Sequence, residues 1–108
     1  MLSRAQRLHS ASDIKQVLRK GRKLEDRALT VWILMGLKES RATVIVPRAF
    51  DKRAVARNTA KRRIREALKL VLSVLPRGSQ IIVRPKAGAG TLSSVELKHT
   101  LCDILRIS

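Results

Sequence analysis

Apolar residues in this chain recur with three different rhythms, and the rhythms divide it into elements. Ala11, Ile14, Val17 and Leu18 repeat at helical spacing. Ser10, with Asp13 three residues on, resembles a capping box in which Asp replaces the usual Glu, and Gly21 suits a stop. These signals predict a first helix over about Ala11 to Lys20. The run ALTVWILM, Ala28 to Met35, is short, almost wholly apolar and rich in β-branched residues, so it predicts a strand ended by Gly36. Alternation puts Ala28, Thr30, Trp32 and Leu34 on one face and Leu29, Val31, Ile33 and Met35 on the other. Ala42 to Val46 predicts a second strand, closed by Pro47. The link Gly36 to Arg41 is short enough for an antiparallel hairpin between the two. Arg22 to Leu24 offers a further short edge strand.

A long helix is predicted from about Arg53 to Leu75, terminated by Pro76 and Gly78. At about 100° per residue, Ala60, Ile64, Ala67, Leu68, Val71, Val74 and Leu75 form one stripe. Arg57, Asn58, Lys61, Arg62, Arg65 and Lys69 form a second stripe beside it. Arg63 and Glu66 lie off both. Ile81 to Arg84 predicts another strand, stopped by Pro85 and followed by a Gly-containing loop, Gly88 to Gly90. Ser93 with Glu96 is a capping box opening a last helix to about Leu105, with an apolar seam of Leu97, Leu101, Ile104 and Leu105. Helix, two or three strands, long helix, strand, helix is an α+β order, and one sheet covered by helices is its natural packing.

Length and charge narrow the function. The 108 residues fit one domain with a modest core, and the 44% hydrophobic content suffices to fold it. No apolar run approaches the roughly 20 residues that span a bilayer. MLSRAQRLHS has no apolar stretch behind its charges, so it does not read as a secretory signal, and a cytoplasmic protein is expected. Cys102 is the single cysteine, which rules out an internal disulfide and reads as a small buried apolar residue. The net charge of +16, from 24 Lys and Arg against 8 Asp and Glu, is self-repelling unless a polyanion is present. Nucleic acid is the first candidate partner. An anionic membrane is the second, but it calls for bulky apolar anchors, and the only aromatics are Trp32 and Phe50.

Catalytic chemistry is hard to find. His9 and His99 stand far apart and near no triad pattern. His99 with Asp103 four residues on reads as a helical surface ion pair. The acids Asp13, Glu25, Asp26, Glu39, Asp51, Glu66, Glu96 and Asp103 are scattered, with no sign of a two-metal site. PKAGAGTL is neither a Walker loop nor a dinucleotide fingerprint. No catalytic residue, metal ligand or protein-bound cofactor is therefore assigned. The basic stripe is the stronger lead. Arg53, Arg57, Lys61 and Arg65 have almost no acidic neighbours to neutralise them, Glu66 being the exception. Asn58 adds a donor and an acceptor, and guanidinium forks suit phosphates. No zinc finger, zipper heptad or obvious helix-turn-helix pattern points to DNA. A stripe that clamps backbone suits structured RNA.

KRAVARNTAKRRIREAL, Lys52 to Leu68, resembles the signature of the bacterial ribonuclease P protein family: Arg57-Asn58, Lys61-Arg62 and Arg65-Glu66 at fixed spacing. RLHSASDIKQVLRKGR, Arg7 to Arg22, is similar to the family's opening and first helix, and SQIIVRP, Ser79 to Pro85, to the strand after its long helix. The resemblance spans about Arg7 to Leu105. It implies a single-domain α/β sandwich of order α-β-β-β-α-β-α, a mixed sheet and a left-handed β-α-β crossover. It implies one RNA-binding domain over 1–108, monomeric apart from RNA, with its ordered core at about 7–105. It also implies a partner, a catalytic RNA subunit that removes the 5′ leader of precursor tRNA with Mg²⁺ at its own active site. Arg53, Arg57, Asn58, Lys61, Arg62 and Arg65 would then bind the RNA subunit. Ile14, Leu18, Trp32, Arg48 and Arg84 would line the leader-binding cleft, with no DNA or membrane partner. Ile14 and Leu18 stand where the family often has phenylalanine, and either cleft or core suits them. Thr59 replaces a frequent second Arg, and Arg48-Ala49 a common Lys-Lys pair. The alternative is a ribosomal-protein-like or RNA-chaperone module with no role in tRNA processing.

Overall fold

A computed structural model describes residues 7, 8 and 10–106. The chain runs through α1 (Ala11–Lys20), β1 (Arg22–Glu25), β2 (Leu29–Leu34), β3 (Arg41–Val44), a 3-10 turn (Arg48–Phe50), α2 (Ala54–Val74), β4 (Gln80–Pro85), a second 3-10 turn (Ala87–Thr91) and α3 (Ser94–Leu105). The α-β-β-β-α-β-α order is the expected one, and the short strand at Arg22 is present. His9 and the first six residues, on which the signal-peptide reading rests, lie outside the described residues.

The strands form one mixed sheet in the order β1-β2-β4-β3. Ile82 of β4 pairs antiparallel with Trp32 of β2 and parallel with Thr43 of β3. The hairpin expected between β2 and β3 is therefore absent, because β4 lies between them. The reason is burial. Ile81, Ile82 and Val83 all have 0% exposure, and an inner position covers both faces of this strand and both its edges. Each such side chain is worth about 1.5–3 kcal/mol when removed from water, whereas a short loop alone favours the hairpin only weakly. The hairpin that does form joins β1 to β2. The Asp26 carboxylate accepts from the N–H groups of Ala28 (2.7 Å) and Leu29 (2.9 Å), which closes its tight loop.

Strand alternation works as expected within β2 and both faces are covered, whereas Ala28, before the strand, packs on the larger cluster and Met35, after it, is exposed. Leu29, Val31, Ile33, Ala42, Val44, Ile81 and Val83 meet Ile64, Ala67, Leu68, Val71 and Leu72 of α2 and Leu97 and Leu101 of α3. On the opposite face Ile82 packs with Val17 and Leu8, and Ile14, Trp32 and Leu34 border them. Cys102 is half-buried against the larger cluster. Val74, expected in the apolar stripe, is 60% exposed, and Leu72 is buried. Val74 lies at the margin of the stripe, in the last turn of α2.

The two capping boxes differ. At α3, Ser93 Oγ accepts from the Glu96 N–H, and the Glu96 carboxylate accepts from the Ser93 N–H, both at 3.2 Å. At α1 the shorter Asp13 closes no box, and Ser10 Oγ lies 3.0 Å from Ser12 Oγ. After α2, Gly78 turns the chain at φ +88°, where a Cβ would strike the Leu37 backbone. Its carbonyl accepts from the Leu37 N–H at 3.0 Å, and its N–H donates to Ser40 Oγ at 2.9 Å. The turn before β4 is thereby tied to the loop between β2 and β3.

Candidate nucleic-acid interface

α2 presents its charges because the stripe beside them is anchored in the core. Ala60, Ile64, Ala67, Leu68 and Val71 are buried, and the cations of the adjoining stripe emerge along one flank. Asn58 and Arg62 are exposed, and Lys61 and Arg65 are half-buried, as long stems are when they lie along apolar surface. None of these four, nor Lys69, has a hydrogen-bonded or ionic partner among the described residues. Glu66, the one acid on the helix, accepts from Ser94 Oγ at 2.7 Å and so faces α3. Arg63, also off the stripe, donates to the Leu92 carbonyl at 3.5 Å.

The helix start corrects the expectation for Arg53, which has an acidic partner, and gives Arg57 two backbone acceptors. Asp51 accepts from the Arg53 N–H at 2.9 Å and from its guanidinium at 3.2 and 3.1 Å. The Arg53 side chain, and then its N–H, hold the Asp51 carboxyl below the usual carboxylate range, and the pairing raises Arg53 in turn. Arg57 donates from Nη1 to the carbonyls of Asp51 (2.8 Å) and Lys52 (2.9 Å). Asp51, two residues before Arg53, turns its carboxylate onto the Arg53 N–H and guanidinium, and the Arg57 side chain reaches back to carbonyls five and six residues upstream. Arg53 stays 79% exposed, so both arginines remain on the rim of the ridge.

The face of the sheet beneath α1 carries the second set. Ile14 packs against Val17 and Ile82 beside Trp32. Leu18 is 39% exposed. Arg84 Cζ lies 5.2 Å from the centroid of the half-buried Trp32 ring. Lys23, which the sequence reading passed over, stands opposite Trp32 in the β1–β2 register and places Nζ 5.8 Å from the same centroid. A two-residue loop at Arg27-Ala28, closed by Asp26 opposite Leu29, would have predicted that register. Arg48 is set apart. It lies in the 3-10 turn after β3, and with Ala49 and Lys52 it lines a shallow depression before α2. The structure thus brings Ile14, Trp32 and Arg84 together, with Arg48 elsewhere.

No group of three or more His, Cys, Asp or Glu side chains gathers among the described residues. His99 and Asp103, expected to pair, form no ion pair there. Such exposed helical pairs contribute little, which leaves the two side chains to water. No described helix is long and apolar enough to cross a membrane.

A family model described as Ribonuclease P matches residues 2–107. The chain is 33% identical over 105 residues to the ribonuclease P protein component of a Nocardioides species, covering 94% of this chain and 89% of that protein. The RNase P protein structure from Thermotoga maritima superimposes with a TM-score of 0.77 at 26% identity, covering 94% of this chain and 97% of that one. That from Staphylococcus aureus matches in fold, with a TM-score of 0.79 at 24% identity over 95% and 94% of the two chains. A family match over nearly the whole chain means that this chain belongs to the ribonuclease P protein family.

Proposed function

We propose that this chain, the protein subunit of ribonuclease P, uses two separate surfaces to assist removal of 5′ leaders from precursor tRNA. The ridge of α2, with Arg53, Arg57, Asn58, Lys61, Arg62 and Arg65, binds the catalytic RNA subunit. The sheet face beside α1, with Leu18, Trp32 and Arg84 and with Ile14 as its wall, takes the single-stranded leader. Arg48 extends the charge toward α2. The single observation that carries this reading is the ridge itself: Lys61, Arg62 and Arg65 have no acidic partner among the described residues. A helix whose opposite flank is fixed in the core holds these cations in place before RNA arrives, so little ordering is needed on binding. Neutralising phosphates there relieves the self-repulsion of a chain at +16 and releases counterions.

Cleavage belongs to the RNA. We assign the Mg²⁺ to the RNA active site because that is what membership of the family implies. The protein screens charge and positions substrate, as a single copy in the cytoplasm. The test is reconstitution. Added to a ribonuclease P RNA at low Mg²⁺, the protein should restore cleavage of precursor tRNA at the mature 5′ end. Absence of stimulation would favour a ribosomal-protein-like or chaperone module. Cleavage by the RNA-free protein would mean that the chain carries a nuclease site of its own.

A further inference from the structure

The cluster around Trp32 contains more charge than a stacking platform needs. Lys23 comes from β1 and Arg84 from β4, the strands on either side of β2, and both cationic groups lie within 5.8 Å of one ring centroid. Neither has a hydrogen-bonded or ionic partner among the described residues. The nearby acid, Glu25, is taken by Lys86 at 2.9 Å. Two cations are therefore gathered on one indole and neither is ion-paired; Lys23 acts on Glu25 only through its charge, behind the closer Lys86. A base that stacks on this ring must displace a cation from it. A phosphate uses both cations as they stand, Arg84 as a planar fork and Lys23 as a point charge.

We propose that Lys23 is a positioning residue for the leader, and that with Arg84 it grips the sugar–phosphate backbone, so that Trp32 serves to hold the cations rather than to stack a base. This rests on the assignment of the leader to this face. It adds that the site is indifferent to which base passes over it.

The test uses the reconstituted holoenzyme and compares precursor tRNA with mature tRNA. Lys23→Ala should weaken precursor binding about tenfold, lower its salt slope by about one unit and leave mature tRNA binding unchanged. Lys23→Arg should restore the affinity. Abasic substitutions placed one at a time along the leader should each cost less than about twofold, because a phosphate contact does not need the base. An unchanged precursor affinity in Lys23→Ala overturns the proposal. Equal losses for precursor and mature tRNA also overturn it, because Lys23 would then act away from the leader. An abasic position that costs as much as Lys23→Ala restores base stacking as the contact. Stimulation of the RNA subunit by the unaltered protein is measured in the same series, so failure of the wider assignment is seen separately.

Discussion

Arg57 of α2 reaches back to donate to the carbonyl of Asp51 at 2.8 Å. The first arginine of the signature therefore fastens the helix to the loop that leads into it, and its second acceptor is Lys52 at 2.9 Å. Lysine keeps the charge but cannot reproduce the guanidinium geometry at both carbonyls. Arg57→Lys should lower unfolding stability by about 1 kcal/mol and weaken binding to the RNA subunit. Urea denaturation and filter binding measure the two effects. A variant as stable and as tight as the native protein would mean that the tether is dispensable.

Lys61 and Arg65 have no such structural duty. Lys61→Ala and Arg65→Ala should each flatten the salt dependence of RNA-subunit binding by about one unit. Stability should stay within about 0.5 kcal/mol. Titrations at several potassium concentrations provide the slopes.

The ring of Trp32 organises Lys23 and Arg84. Trp32→Leu retains apolar contact with Ile14 and Ile82 but removes both cation–π contacts. Precursor tRNA binding should weaken by about 1 kcal/mol, with mature tRNA binding unchanged.

The capping boxes provide a paired comparison. Ser93→Ala removes a formed box and should cost about 1 kcal/mol of stability. Ser10→Ala removes a hydroxyl that caps nothing and should cost less than about 0.5 kcal/mol. Thermal melts of the two variants, side by side, check the contrast.

Acid stability should depend on two carboxyls. Arg53 lowers Asp51, and Lys86, then Lys23, lower Glu25. Because the folded values are depressed, the stabilisation is complete above the ordinary carboxylate range. It is lost as pH falls through the lowered folded values. The drop in urea midpoint between pH 7 and about pH 3 should be smaller in Asp51→Asn than in the native chain.

Most of the fold was legible because it is local. The spacing of Ile14, Val17, Ile64, Leu68, Leu97 and Leu101 marked the helices, and the alternation along β2 marked its two faces. The sheet order was not legible, since loop length between β2 and β3 says nothing of a strand arriving some 40 residues later. The unpaired cations at Lys61 and Arg65 were legible from the absence of acids at helical spacing, whereas Arg62 has Glu66 four residues on and is unpaired because Glu66 turns to Ser94. The pairing of Asp51 with Arg53, only two residues apart, was not legible from helical spacing, which brings together residues three and four apart. Lys23 was hidden for a related reason: only strand register puts it next to Trp32.

The placement of β4 also sets the order of assembly. As the chain leaves the ribosome, β1 and β2 can join at once, but β3 has no strand partner beyond the isolated bridge from Arg7 to Ala42 until Gln80–Pro85 is made. Until then the apolar sides of α2 and β3 wait without their main partner, and nascent chains stopped short of Pro85 should be open to proteases and chaperones. Native structure should arise late in synthesis and all together, not domain-like from the amino end.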